Sequence, residues 1–179
     1  MKRSMTPNDS PRTANLLGAL ALALGDGMQL ATDAVLPHSA MAPAALSTVA
    51  AYPGESLDAL RRTLQLTPSG TTRLLDNLQR AGLIERRPGR DARSVALFPT
   101  ANGVAHADAI LSARREVLAG ALKALDEAER TQLEGLLEKI LRHITTDRST
   151  CDHICRLCEI AACPQDICPV ELAAIASES

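Results

Sequence analysis

Five cysteines lie within eighteen residues near the end of the sequence, and the 150 residues before them contain none. Thiolate sulfur is a ligand for zinc and for iron–sulfur clusters, and thiol pairs can form regulatory disulfides. Thiols at this density seldom serve packing alone. The segment is therefore predicted to hold a metal or redox centre, with candidate ligands at Cys151, Cys155, Cys158, Cys163 and Cys168.

The spacing C-x3-C-x2-C-x4-C-x4-C does not by itself decide the metal. Zinc most often takes two tightly spaced pairs, and only Cys155 and Cys158 have that spacing. Iron–sulfur clusters accept more varied spacings and often have a proline after a ligand, as Cys163 and Cys168 do. The pattern favours an iron–sulfur cluster slightly over Zn2+, and a metal-free thiol switch is the third interpretation.

Local structure could bring these cysteines together. A helix over residues 150–161 would place the first three cysteines on one face. Pro164 would end that helix, and a loop would return the last two cysteines to the same side. Four thiolates could then surround one centre, with Cys151 and His153 as spare ligands.

Length and composition indicate the fold class. The chain has 179 residues, enough for one domain with an appendage. Apolar residues make up 46%, mostly alanine and leucine, and the only aromatic side chains are those of Tyr52 and Phe98. This composition favours a mainly α fold of helices packed on helices. Because the sequence lacks a phosphate-binding loop, a Ser/His/Asp set and paired catalytic carboxylates, we expect no enzyme.

The apolar run Leu16–Leu24 follows a basic N-terminus and faintly resembles a signal peptide. The run is short, diluted by alanine and without a convincing cleavage site. It is also shorter than the roughly 20 apolar residues that a membrane span needs. We therefore expect a cytoplasmic protein with no membrane association, in which clustered cysteines indicate metal or redox chemistry rather than structural disulfides.

Helix start and stop signals divide the chain into segments. Residues 1–13 are predicted to be a disordered arm, and residues 146–179 a cysteine-rich appendage. Between them, helices are predicted over 14–36, 44–51, 56–63, 67–81 and 101–125, with a Pro-Gly hairpin over 83–98. Asp126 and Glu129 form a predicted capping box for a further helix, whose apolar stripe indicates either core or a paired-subunit interface.

Two helices joined by a short turn and followed by a basic hairpin have the layout of a winged helix-turn-helix. From Arg61 to Arg93 there are eight arginines and three acidic residues, although the whole chain has a net charge of −2. A local positive face of this kind is what contact with phosphates requires. The predicted DNA contacts are Thr67, Ser69, Thr71, Thr72 and Arg73 on the second helix, and Arg87, Arg90 and Arg93 on the hairpin.

The continuous stretch from residue 45 to residue 103 resembles the winged-helix domain of the MarR family. Residues 66–78, LTPSGTTRLLDNL, are similar to the family's recognition helix, and residues 81–86, AGLIER, to the start of its wing. Asp91 and Arg93 match the family's Asp-x-Arg wing pattern, in which the acid orients the arginine. The weaker resemblance over 14–145 implies a symmetric homodimer built from helices 14–36 and 101–145. Its DNA-binding lobe, about 44–100, would bind a pseudo-palindromic operator in double-stranded DNA.

The resemblance further implies a regulator that usually represses and that releases DNA when a small-molecule or redox effector acts on it. Residues 146–179 are extra to the family. We therefore predict a dimeric DNA-binding regulator whose operator affinity is tuned by the cysteine-ligated centre. The alternatives are a protein-interaction module, or an electron-transfer or enzyme component that holds the cluster on a vestigial winged helix.

Overall fold

The computed structural model describes residues 11–37, 39–89 and 94–178, and this part of the chain forms eight helices and one two-stranded sheet. The helices are α1 (Pro11–Val35), α2 (Ala42–Ala51), α3 (Leu57–Leu64), α4 (Pro68–Arg80), α5 (Ala101–Leu122), α6 (Glu127–Ile144), α7 (Arg148–Cys155) and α8 (Pro169–Ser177). The strands are β1 (Ile84–Pro88) and β2 (Val95–Pro99). The prediction of a mainly α fold with a winged helix-turn-helix is confirmed.

Helix α1 packs along α5 and begins at Pro11, earlier than the predicted residue 14. By length and composition it could cross a membrane, a property shared by signal sequences near an N-terminus and by core helices of soluble proteins. Its outer leucines are uncovered, with Leu22 70% and Leu30 76% exposed. The single chain thus leaves one apolar face of α1 without a partner surface.

Helices α2, α3 and α4 enclose the main hydrophobic core together with the hairpin. Hydroxyl groups cap the first turns of α3 and α4. Ser56 accepts a hydrogen bond from the backbone N–H of Ala59 at 3.1 Å, and Thr67 accepts one from that of Gly70 at 3.2 Å. The apolar side chains at helical spacing then face inward. The fully buried ones include Leu46, Leu60, Leu64, Leu75, Leu78, Leu97 and Ile110.

The wing is an antiparallel pair of strands in which Arg86 lies opposite Leu97. Ser56 forms an isolated bridge with Ala96, so the residue before α3 adds a short third segment to the sheet. This bridge ties the start of the helix-turn-helix to the wing. Strand β1 in turn contacts α4, so the hairpin is docked against the second helix.

Helix α5 leaves the lobe through an unusually close contact. Thr100 caps its first turn and donates its hydroxyl to the carbonyl oxygen of Gly82 at 2.7 Å. A Cβ atom on Gly103 would lie 1.9 Å from the carbonyl oxygen of Leu83. Only glycine permits this approach, and it fixes the angle between the lobe and the long helix.

Helix α6 presents its apolar stripe to the outside. The predicted capping box is confirmed, since Asp126 and Glu129 exchange side-chain-to-backbone hydrogen bonds of 2.9 Å in both directions. No described side chain of α6 is buried. Leu136 is 56% exposed and Ile144 is 49% exposed. Most of the stripe is therefore uncovered in the single chain, although Leu141 packs against the appendage, and the interface interpretation stays a prediction.

The appendage, residues 146–178 of the described chain, packs α7 against α3, and α8 against both α6 and α7. Helix α7 ends at Cys155, so the predicted helix over 150–161 is too long. The carbonyl oxygen of Arg156, just after the helix, lies 3.2 Å from the hydroxyl of Thr48, which makes a shorter hydrogen bond of 2.8 Å to the carbonyl oxygen of Ala44. Cys158 lies in the turn after the helix, so the expected arrangement of three cysteines on one helix face is wrong.

Candidate nucleic-acid interface and cysteine-rich appendage

Helix α4 has one polar face that is exposed from its first turn onward. Ser69, Thr72 and Arg73 lie on this face, while the leucines of the opposite face belong to the core. The exposed side chains are small in the first turn and are followed by an arginine. Small first-turn side chains allow a helix end to approach the major groove, where arginine can bond to a guanine edge.

Two threonines of the predicted interface have structural roles. Thr67 is exposed, but its hydroxyl oxygen caps α4 by accepting from Gly70. Thr71 is fully buried, and its hydroxyl donates to the carbonyl oxygen of Thr67 at 3.0 Å. The prediction that Thr71 contacts DNA is wrong, because its position on α4 faces the core.

Ion pairs reduce the positive charge that the basic segment can offer. Asp58 lies just before that segment and forms ion pairs with both Arg61, at 2.8 Å, and Arg62. Arg80 is hydrogen-bonded to Asn77 near the end of α4. Arg73 is exposed and makes no ion pair among the described residues. It is therefore the arginine of α4 best placed to meet an external acceptor.

The stem of the wing is held by two neighbouring arginines of β1. Arg86 pairs with Asp76 of α4 at 2.7 Å, which fixes the hairpin to the recognition helix. Arg87 pairs with Glu85 and lies over the ring of Phe98, 4.2 Å from its centroid. Arg87 remains exposed, so its predicted contact with DNA stays a prediction.

The tip of the wing, with the predicted contacts Arg90, Asp91 and Arg93, lies outside the described residues. Arg86 was not among the predicted contacts. Its Nε and Nη2 atoms are buried and have no hydrogen-bond partner among the described residues. A sequence count treats Arg86 as free charge, and only the packing of β1 on α4 identifies it as a positioning residue.

A cavity of about 420 Å3 lies where the DNA-binding lobe, the long helices and the appendage meet. Tyr52 and Thr63 line it from the lobe, Arg114 from α5 and Leu141 from α6. All five cysteines also line this cavity. The fold thus brings the five cysteines to one cavity without a single helix face, and their predicted convergence on a metal centre stays a prediction.

Four of the cysteines influence one another's pKa in two pairs, Cys155 with Cys158 and Cys163 with Cys168. The interaction within the first pair lowers the pKa of Cys158 and raises the pKa of Cys155. Burial, together with the neighbouring Cys168, raises the pKa of Cys163 to about 11. The members of the two pairs also interact electrostatically across the cavity. One pair joins the end of α7 to the following turn, and the other joins the loop to the start of α8.

The described residues contain no set of three or more His, Cys, Asp or Glu side chains that is already close enough to hold a metal ion. Metal binding would therefore require the thiols to move closer together. The predicted iron–sulfur cluster and Zn2+ both remain predictions.

Cys151 has a different environment from the other four cysteines. Its Sγ donates to Oε2 of Glu171 at 3.5 Å, and Nη1 of Arg148 donates to the same oxygen at 2.7 Å. Burial, together with the Glu171 carboxylate, raises the pKa of Cys151 to about 12. The thiol therefore stays protonated and links α7 to α8.

The appendage contacts both the DNA-binding lobe and α6. The Nδ1–H of His153 donates to the carbonyl oxygen of Thr63 at the end of α3, at 2.9 Å. On the other side, Leu141 of α6 packs against a small second core. That core consists of Cys151, Cys168, Val170 and Ala174. Sequence reasoning missed this bridge, since no local pattern pairs His153 with a backbone oxygen ninety positions away.

These features define the chain as a winged helix-turn-helix protein, in which α3 and α4 form the helix-turn-helix and β1 and β2 the wing. Residues 39–94 match the sequence model of the MarR family. The curated proteins contain no match to the sequence.

Solved structures give the same assignment. YusO from Bacillus subtilis aligns with a TM-score of 0.63 and 21% identity, over 73% of this chain and 92% of that chain. MepR, a transcription regulator of the Staphylococcus aureus multidrug efflux pump MepA, aligns with a TM-score of 0.63 and 22% identity, over 73% and 97%. Wild-type MarR from E. coli in its apo form aligns with a TM-score of 0.58 and 25% identity, over 70% and 96%.

Residues 39–94 are therefore a MarR-family domain, and the chain has the fold of the MarR-family transcription regulators. The resemblance inferred from the sequence is confirmed, and the matching proteins are transcription regulators rather than enzymes. The match to the family model ends before the first cysteine, so it says nothing about the appendage.

Proposed function

We propose that the chain is a homodimeric regulator that binds double-stranded DNA, with the exposed face of α4 in the major groove of a pseudo-palindromic operator. The exposed face of α4 is the observation that supports this most. Ser69, Thr72 and Arg73 project from a helix whose other face is fixed in the core and whose orientation is held by the pairing of Arg86 with Asp76. Positions of this kind specify sequence, while the wing adds contacts to the backbone.

Dimer formation is supported by the uncovered apolar faces. A monomeric soluble protein rarely exposes contiguous apolar patches of more than a few hundred Å2. Here α1 and α6 together expose Leu16, Leu17, Leu20, Leu136, Leu137, Ile140 and Ile144. Pairing two copies through these helices would let their recognition helices enter successive major grooves, about 34 Å apart.

The same proposal gives the protein a cytoplasmic repressor role in which the appendage tunes operator affinity. Support comes from the position of the appendage, which contacts α3 of the reading head and α6 of the dimer surface. An effector must pack differently in the bound and free states to shift an equilibrium. The effector is a metal or oxidant acting at the cysteines, or a small molecule in the cavity, whose volume lies in the range of ligand pockets.

Selection of bound duplexes from a random pool tests the DNA-binding proposal directly. Full-length protein should enrich a two-fold symmetric sequence with half-site centres about 10 base pairs apart. The logarithm of the affinity should fall linearly with the logarithm of the salt concentration, with a slope of about −0.9 for each phosphate contact. Reporter transcription from a promoter containing the enriched site should then fall when the protein is present.

The alternatives give different results. A protein-interaction module would enrich no sequence and would bind no duplex even at low salt. An activator would enrich the same kind of site but raise transcription from the reporter. If operator affinity does not change with the metal or redox state of the cysteines, the DNA-binding proposal stands, but the proposed control of that affinity by the appendage is rejected.

A further inference from the structure

We propose a four-thiolate metal site in the appendage, formed by Cys155, Cys158, Cys163 and Cys168. The site takes a tetrahedrally coordinated thiophilic centre, either one Zn2+ ion or the two irons of a [2Fe–2S] cluster. Cys151 lies outside the ligand set. The effect of this site on DNA depends on the proposed function, but the site itself does not.

The positions of the four thiols support a shared site. All four line one cavity, and Cys155 and Cys163 pack against the small core that contains Cys168. Cys158 follows Cys155 through a tight backbone turn. With Zn–S bonds of about 2.3 Å, two sulfurs of a tetrahedral site lie about 3.8 Å apart, so a bound ion would draw these neighbouring thiols inward.

Four thiols around one cavity fit two related centres. A single Zn2+ would take all four as thiolate ligands. A [2Fe–2S] cluster would also take four cysteine ligands, two on each iron. Both centres bind thiolates, so loading releases the thiol protons to solvent.

The surroundings of the pairs suit thiolate ligands. Arg114 and Arg156 line the same cavity as the four thiols, and a nearby guanidinium charge favours a thiolate. Arg114 comes from α5, so the positive charge that offsets the thiolates is supplied partly by a long helix outside the appendage. The local backbone also matches, since the N–H of Cys158 closes a tight turn on the carbonyl oxygen of Cys155 at 2.9 Å.

Cys151 also lines the cavity, but its hydrogen bond to Glu171 excludes it from the set of metal ligands. Its thiol proton is engaged by Glu171, whose carboxylate is held in turn by Arg148. Ligation would require Cys151 to lose that proton next to a carboxylate in a buried setting. Cys151 therefore acts as a positioning residue that holds α8 against α7. This contact keeps Cys168, the N-cap residue of α8, near the other ligands.

Metal content of the full-length protein tests the site. The protein should be produced with zinc and iron supplied, purified without oxygen or chelator, and analysed for metals, acid-labile sulfide and visible absorbance. Either about one zinc per chain or about two irons with two sulfides per chain supports the proposal. Reduced protein that takes up neither Zn2+ nor, with iron and sulfide, a cluster overturns it.

Single substitutions test the ligand set. Cys158→Ser and Cys163→Ser, one from each pair and both only half-buried, should lower the metal content at least about tenfold. Cys151→Ser is the matched control and should keep the metal, because serine can still donate to Glu171. Metal loss in the control equal to that in the other two variants overturns the assignment, as does retention of metal in both pair variants.

Two further measurements distinguish loss of the metal site from misfolding of a variant and from loss of DNA binding. Binding of Co2+ alone to the reduced wild-type protein reports tetrahedral thiolate coordination in the absorption spectrum even if a serine variant does not fold, and its absence counts against the site. Duplex binding should be measured on the same preparations. Metal without DNA binding would reject the proposed function and leave the site, whereas DNA binding by a protein that cannot be loaded would reject the site alone.

Discussion

Replacement of Arg73 by alanine should weaken specific DNA binding more than any other single change on the exposed face of α4. Arg73 lies one turn after the small side chains of the helix start and is free of ion pairs within the described chain. Its side chain is exposed, so its loss should leave the fold intact. An arginine in this position is expected to bond to a base edge rather than to a phosphate.

The expected magnitude follows from the number of contacts. A bidentate contact between an arginine and a guanine contributes about 1–3 kcal/mol of discrimination. A symmetric dimer makes two such contacts, so the loss should be about 2–6 kcal/mol. At about 1.4 kcal/mol for each tenfold change, affinity for the selected operator should fall between about 30-fold and 20,000-fold. Affinity for a scrambled duplex should change much less.

Fluorescence anisotropy with the selected and scrambled duplexes, at two salt concentrations, measures both quantities. Lys123→Ala is the matched control, because it removes the same charge at the far end of α5, a helix that spans about 33 Å from the lobe. An Arg73→Ala variant that loses the same factor on both duplexes would identify a phosphate contact. A variant that binds the operator as tightly as the control would refute the assignment of α4 as the reading helix.

Three further substitutions test the fold and the assembly. Gly103→Ala should lower the free energy of unfolding by about 1–3 kcal/mol, because the added Cβ meets the carbonyl oxygen of Leu83. Gly120→Ala is the control: its Cβ has open space, so it should raise the free energy of unfolding by about 0.5–1 kcal/mol. Equal changes in chemical denaturation would contradict the close contact. Leu137→Glu should convert dimers to monomers in sedimentation, and an unchanged dimer would remove α6 from the interface. Asp126→Ala should cost about 1 kcal/mol in thermal unfolding through loss of the α6 cap, and no change would show that the cap is not needed.

The helices of the lobe could be predicted because their signals are local. Ser56, Thr67, Thr100 and Asp126 each cap the helix that the sequence assigns to them. A capping hydroxyl or carboxylate acts on a backbone N–H only three residues away, so the chain itself brings the partners together. The apolar spacing that follows each cap decides which face is buried. These two signals were enough to place α2 to α6 and the wing.

The errors concern what each residue contacts in the folded chain. Thr71 has a polar side chain, as an interface residue does, but the packing of α4 places it in the core. Arg61 and Arg62 were counted as free charge, although Asp58 lies only three and four residues before them and pairs with both. That helical spacing is local, so this error could have been avoided from the sequence. The end of α7, by contrast, lies beside a hydroxyl of α2 more than one hundred positions earlier in the chain, and no local pattern shows that neighbour.

The position of α7 suggests how the appendage could reach the DNA. His153 holds the carbonyl oxygen of Thr63 in the last turn of α3, just before Gln65 turns the chain with a left-handed φ of 53°. Thr67, which caps α4, follows two residues later. A shift of α7 that breaks or strengthens this bond therefore acts on the turn that sets the direction of the recognition helix. Coupling between two sites is usually about 1–3 kcal/mol, and a hydrogen bond worth about 1 kcal/mol, present in two copies of a dimer, supplies a difference of that size.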